Sequence, residues 1–154
     1  MKRFLNTLIT VGIASFFHFC DNPTGNVQNR SVFKVEINGI QKSGSGTAFV
    51  YSDTLLHIRG RLEEVGFERQ IDILIDTVKS GRYLISKNNG TLNDIIGGDA
   101  VANHYSTPGL PDDSISYEID PARKQVFGEF KAVFIDSLSH DTLRLSKGSF
   151  NMVY

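Results

Sequence analysis

The last thirty residues contain three runs: Gln125-Val-Phe-Gly-Glu-Phe-Lys-Ala-Val-Phe-Ile-Asp136, Thr142-Leu-Arg-Leu-Ser146 and Ser149-Phe-Asn-Met-Val-Tyr154. In an extended chain, successive side chains point to opposite faces. Val126, Phe130, Ala132 and Phe134 therefore share a face, as do Leu143 and Leu145, and as do Phe150, Met152 and Tyr154. A period of two with one apolar face predicts strands that fold back on one another to cover it.

The same grammar runs through the chain from Val32 onward. Phe33, Val35 and Ile37 alternate with Lys34 and Glu36, and Asn38-Gly39 follows, a tight-turn pair that tolerates positive φ. Residues 46–51 read as the next strand. Leu56, Ile58, Gly60 and Leu62 then alternate with His57, Arg59, Arg61 and Glu63, giving a half-buried strand with a charged outer face. Residues 67–76 put Ile71, Ile73 and Ile75 on one side, and Leu74 on the other predicts cover on both faces. Residues 82–86 form a short strand, 91–96 a helical turn or a strand, and 99–107 a further candidate. Ile115, Tyr117 and Ile119 alternate again after the loop at 108–113. The count predicts an all-β fold, an antiparallel β-sandwich or barrel of roughly nine strands. No stretch sustains a 3.6-residue period, and the connections are too short for helical crossovers.

A chain of 154 residues, 40% of them hydrophobic, suits one domain with a sizeable core, assigned here to residues 32–154. Its formal net charge of -1 supplies no basic stripe, so no nucleic-acid partner is expected. Lys2 and Arg3 precede a mostly apolar run from Phe4 to Phe19 that polar residues interrupt, the layout of a secretory signal rather than a spanning helix. Residues 1–19 are read as that signal and 20–31 as a tether. Cys20 is the chain's single cysteine, which rules out an intramolecular disulfide. Its place at the end of the apolar run resembles a bacterial lipoprotein signal. That resemblance implies cleavage before Cys20 and lipid on its thiol, although Phe19 stands where the pattern has a small residue.

No constellation specifies a reaction. His57, His104 and His140 lack metal-ligand spacing, no nucleophile elbow is present, and no glycine cluster precedes a helix that could aim amides at phosphate. His57 on a polar strand face, His104 beside Tyr105 and His140 in a turn read as solvated. Neither cofactor nor metal is expected, and the protein reads as non-enzymatic. An enzyme would have to use His140-Asp141 with Asp112-Asp113, where a calcium site would also have to lie. Trp is absent, and Tyr51, Tyr83 and Tyr117 read as core-edge residues whose hydroxyls reach water.

One tripeptide recurs. Asp53-Thr-Leu, Asp76-Thr-Val, Asp113-Ser-Ile, Asp136-Ser-Leu and Asp141-Thr-Leu all read Asp, Ser or Thr, then an aliphatic residue. Turn chemistry explains this pattern, because Asp caps nearby backbone where a strand begins or ends. The pattern also resembles the O-glycosylation acceptor motif of Bacteroidota envelope proteins, which would place acceptors at Thr54, Thr77, Ser114, Ser137 and Thr142.

Further motifs support a wider likeness. The order Val32-Phe-Lys-Val-Glu-Ile-Asn-Gly39, Gly81-Arg-Tyr83, Val126-Phe-Gly-Glu-Phe130 and Leu145-Ser-Lys-Gly-Ser-Phe150 resembles small Bacteroidota cell-envelope lipoproteins of unknown function. The resemblance implies an all-β domain held at a membrane through Cys20, with an envelope protein or glycan as partner, and it brings no catalytic residue. The alternatives are a lipocalin-like carrier of a small apolar ligand and, third, a hydrolase.

Overall fold

The computed structural model describes residues 31–52, 54–98 and 100–154. Cys20 and the proposed signal therefore lie outside the described residues, as does Asp53. Ten antiparallel strands form one sheet: β1 (Val32–Ile37), β2 (Ile40–Tyr51), β3 (Leu55–Glu64), β4 (Phe67–Ile75), β5 (Gly81–Leu84), β6 (Gly90–Ile96), β7 (Ala100–Ser106), β8 (Ser114–Asp120), β9 (Gln125–Asp136) and β10 (Thr142–Val153). The all-β expectation holds. Residues 91–96 are strand rather than helical turn, and β2 begins at Ile40, six residues earlier than the alternation suggested. The reason is the Asn38-Gly39 turn, with φ of 49° and 85°, which sends the chain straight back along β1 and pairs Ile37 with Ile40.

The sheet closes on itself. β10-β1-β2-β3-β4-β6-β7-β9 form a ring because β9 also pairs with β10. Closure between β7 and β9 rests on two pairs, Tyr105 with Asp136 and Ser106 with Ile135. The rest of that edge of β9 is taken by β8, paired from Ser114–Lys131 to Asp120–Gln125, and β8 in turn carries β5.

Inside the ring lies one apolar cluster. Phe33, Leu56, Ile58, Ile71, Ile73, Leu92, Ile115, Phe134 and Met152 are fully buried. Phe33 stacks on Phe130 at 5.4 Å between centroids. Glycines make room for these rings: a Cβ on Gly60 would lie 2.5 Å from Phe33. Tyr117 corrects the core-edge reading. It is buried, and its hydroxyl donates to the Thr77 carbonyl at 2.8 Å, while Tyr83 donates to the Lys79 carbonyl. The Thr77–Lys79 connection supplies both carbonyls, so the Tyr117 hydroxyl meets backbone inside the fold, while half-buried Tyr83 makes its bond at the exposed edge. Leu74 is 37% exposed, so β4 is not covered on both faces there.

Candidate functional site

A polar network sits on the outside of the ring across β2, β3 and β4. The hairpin turn at Val65-Gly66 sets its register: Glu64 pairs with Phe67, so Arg59 falls opposite Asp72 and His57 opposite Leu74. On the other side of β3, Thr47 faces Arg59 and Phe49 faces His57. The outward residues of three strands thus converge.

Asp72 is the centre. Its Oδ1 accepts from His57 Nε2 at 2.6 Å and from Arg59 Nε at 2.7 Å, and its Oδ2 accepts from Gln70 Nε2 at 2.7 Å. Burial pushes the carboxyl up, and the hydrogen bonds from His57, Arg59 and Gln70 outweigh that, leaving it below the usual carboxylate range. An ionised carboxylate only accepts, so His57 carries its proton on Nε2 and its Nδ1 is left for another partner. Arg59 spends Nε on Asp72 while its guanidinium carbon lies 5.8 Å from the Phe49 ring centre.

Aromatic rings adjoin this network. Phe49, Tyr51 and His57 have centroids 5.4–6.4 Å apart, with planes inclined by 20–35°. Tyr51 is half exposed, and Leu74 continues the apolar edge. The arrangement can offer a ring surface, a guanidinium and a side-chain amide to a partner, all held in place before contact.

His57 therefore departs from expectation: it is buried beneath Phe49 and Tyr51 and bound to Asp72, not solvated. His104 is exposed and bonds Asn93 Oδ1 through Nδ1 at 2.6 Å, and His140 is an exposed turn residue with φ of 60°. Asp113 is buried, its carboxylate taken by the amides of Leu110 and Val133, while the Asp112 side chain is almost fully exposed. Among the described residues no hydrogen bond or ion pair joins His140 or Asp141 to Asp112 or Asp113. Nor do three His, Cys, Asp or Glu side chains there come together to hold a metal ion.

The repeated tripeptides divide. Asp136 caps the amides of Leu138 and Ser139 from one oxygen, as turn chemistry requires, and these bonds hold its carboxyl below the usual range. Asp113 instead reaches across to β9. Thr54, Ser137 and Thr142 are exposed, Thr77 is half-buried and Ser114 is buried. Sequence reading missed Asp72, Gln70 and Phe49 as a group. The two-residue turn Val65-Gly66 was the available signal, because it sets residues 59 and 72 side by side.

Comparison of the chain with family models, with curated proteins and with solved structures found no match.

Proposed function

We propose that the protein is a non-enzymatic, membrane-tethered interaction module of the bacterial cell envelope, anchored through lipid at Cys20. It binds an envelope protein through the face formed by Phe49, Tyr51, His57, Arg59 and Leu74. One observation carries this reading: a buried carboxylate on the outer side of a sheet holds His57, Arg59 and Gln70 beside a half-exposed tyrosine. A buried ion pair is a weak source of stability, and clustered tyrosine and arginine are typical of the residues that carry interface energy. The packed interior favours a surface binder over a lipocalin-like carrier, whose ligand would need the space that Phe33, Phe130 and Phe134 occupy.

Pull-down from native membranes tests the proposal. The wild-type chain is expected to retain a partner that a Tyr51→Ala/Arg59→Ala double variant loses, with an unchanged circular-dichroism spectrum. If both chains retain the same proteins, this face is not the site. A retained component that survives protease digestion assigns the face to a glycan instead. Displacement of an apolar dye from the wild-type interior would favour the carrier.

A further inference from the structure

In the antiparallel ring β1, β3, β6 and β9 run in the same direction, so the turns that follow them, β1–β2, β3–β4, β6–β7 and β9–β10, all lie at one end. Each turn carries an exposed aliphatic side chain. Ile40 is 62% exposed, Val65 100%, Ile96 50%, Val101 55% and Leu138 91%. These five are most of the large hydrophobic side chains at least half exposed among the described residues, Tyr51 and Leu84 being the others. The turns are braced from below. Arg69 makes a bidentate pair with Asp94 at 2.6 and 2.9 Å, Lys42 pairs with Glu64 at 2.8 Å, and Asp136 caps the β9–β10 turn.

We propose that this end inserts shallowly into the interface of a zwitterionic lipid bilayer. The aliphatic tips stand on four separate turns, parted by Gly39, Gly66, Gly97, Gly98, Ser137 and Ser139, so they form projections rather than a continuous patch. A fluid hydrocarbon layer closes around separate projections without needing a matching shape, whereas a protein partner would have to supply a pocket for each. The five tip side chains are neither arginine nor aromatic, the residues that dominate protein hot spots. Phe67, beside Val65-Gly66, is half-buried with the Arg69 guanidinium 5.3 Å from its ring centre, and Asp94 holds that arginine. Among the described residues the charges near them include the Lys42–Glu64 and Arg69–Asp94 pairs, Arg144 beside the β1–β2 turn, and Glu63, Glu68 and Asp141, which together give no cationic excess for an anionic surface. β1 starts at the opposite end of the ring, where Val32 pairs with Asn151 near the C-terminus. Residues 21–31 can span about 35 Å, against about 30 Å for a tilted twelve-residue strand measured along a barrel axis. A tether leaving one end is thus long enough for the other end to meet the same bilayer.

The test uses the full chain with Cys20→Ser and a single environment-sensitive fluorophore on a thiol introduced at Val65, at Leu138 or, as control, at Lys124 in the β8–β9 turn of the opposite end. Vesicles are phosphatidylcholine, with or without brominated acyl chains. The labels at positions 65 and 138 are expected to shift to the blue and to be quenched by the brominated chains, while the label at 124 does neither. Val65→Asp should lower the inserted fraction reported from position 138 roughly tenfold. A water-like label at positions 65 and 138 on vesicle-bound protein would overturn the proposal, because the N-terminal segment alone would then be holding the chain. So would a blue shift that appears without vesicles and vanishes on dilution, which would assign the tips to a second copy of the chain.

Discussion

Gly60→Ala probes how tightly the interior is packed. The backbone at Gly60 is ordinary extended strand, so alanine adopts it freely. At an open site the substitution would stabilise by about 0.4–1 kcal/mol through the unfolded chain. Here the new Cβ would sit 2.5 Å from Cδ1, Cε1 and Cζ of Phe33, and ordinary carbon contacts lie at about 3.5–4.0 Å. The ring must retreat by about 1 Å, but it is fully buried and stacked on Phe130, which lies against Gly148. Overpacking of this kind costs about 1–3 kcal/mol, so the net expectation is a loss of about 1–2 kcal/mol once the unfolded-state gain is subtracted. Phe33→Leu, which shortens the offending ring, should cost about 1–2 kcal/mol alone through its cavity. The double variant should be more stable than the sum by about 1 kcal/mol, because the methyl group enters the space the ring vacates. Guanidinium denaturation followed by circular dichroism gives each value from the midpoint, with the slope unchanged if only packing has altered. Wild-type stability for Gly60→Ala, or strict additivity in the double variant, would refute the account of a ring packed against a glycine.

Three further outcomes follow from the buried polar groups. Burial, and then the nearby Tyr83, push the Tyr117 hydroxyl up to about 12. A raised value means its contribution is complete below the ordinary tyrosine value near 10 and is lost as pH rises toward 12; an absorbance titration should show a late phenolate near that value that is absent in Tyr117→Phe, which also loses about 1 kcal/mol with the bond to Thr77. Asp72 has a depressed value, so its contribution is present above the ordinary carboxylate range and is lost as pH falls through the folded value. Denaturation of Asp72→Asn should therefore show a deficit at pH 7 that shrinks toward pH 3, and a constant deficit would contradict the ionised network. Asp113→Ala leaves the Leu110 and Val133 amides without their acceptor and should cost about 1–3 kcal/mol, read from the same denaturation curves.

The class of fold was legible because burial on one face of a strand leaves a period-two trace that survives in a single sequence. Phe33, Val35 and Ile37, or Phe130, Ala132 and Phe134, show their inward direction without reference to any partner. Asn38-Gly39 was equally legible, since its conformation is a local property of two residues. The Asp136 cap belongs with them, because it reaches only two and three residues along the chain.

The chain by itself thus determined direction: which side chains face oil, where the backbone reverses, and that no helix is needed. Only the tertiary structure decided who meets whom. His57 looked solvated because alternation reports the face and not what covers that face; Phe49 and Tyr51 cover it from the neighbouring strand. Tyr117 looked like an edge residue because its acceptor, Thr77, lies forty residues away. The ring itself closes through two residue pairs between β7 and β9, and four turns far apart in sequence gather their aliphatic tips at one end. Such neighbours are set by long-range pairing, whose energy depends on two segments at once and so leaves no mark in either segment read alone.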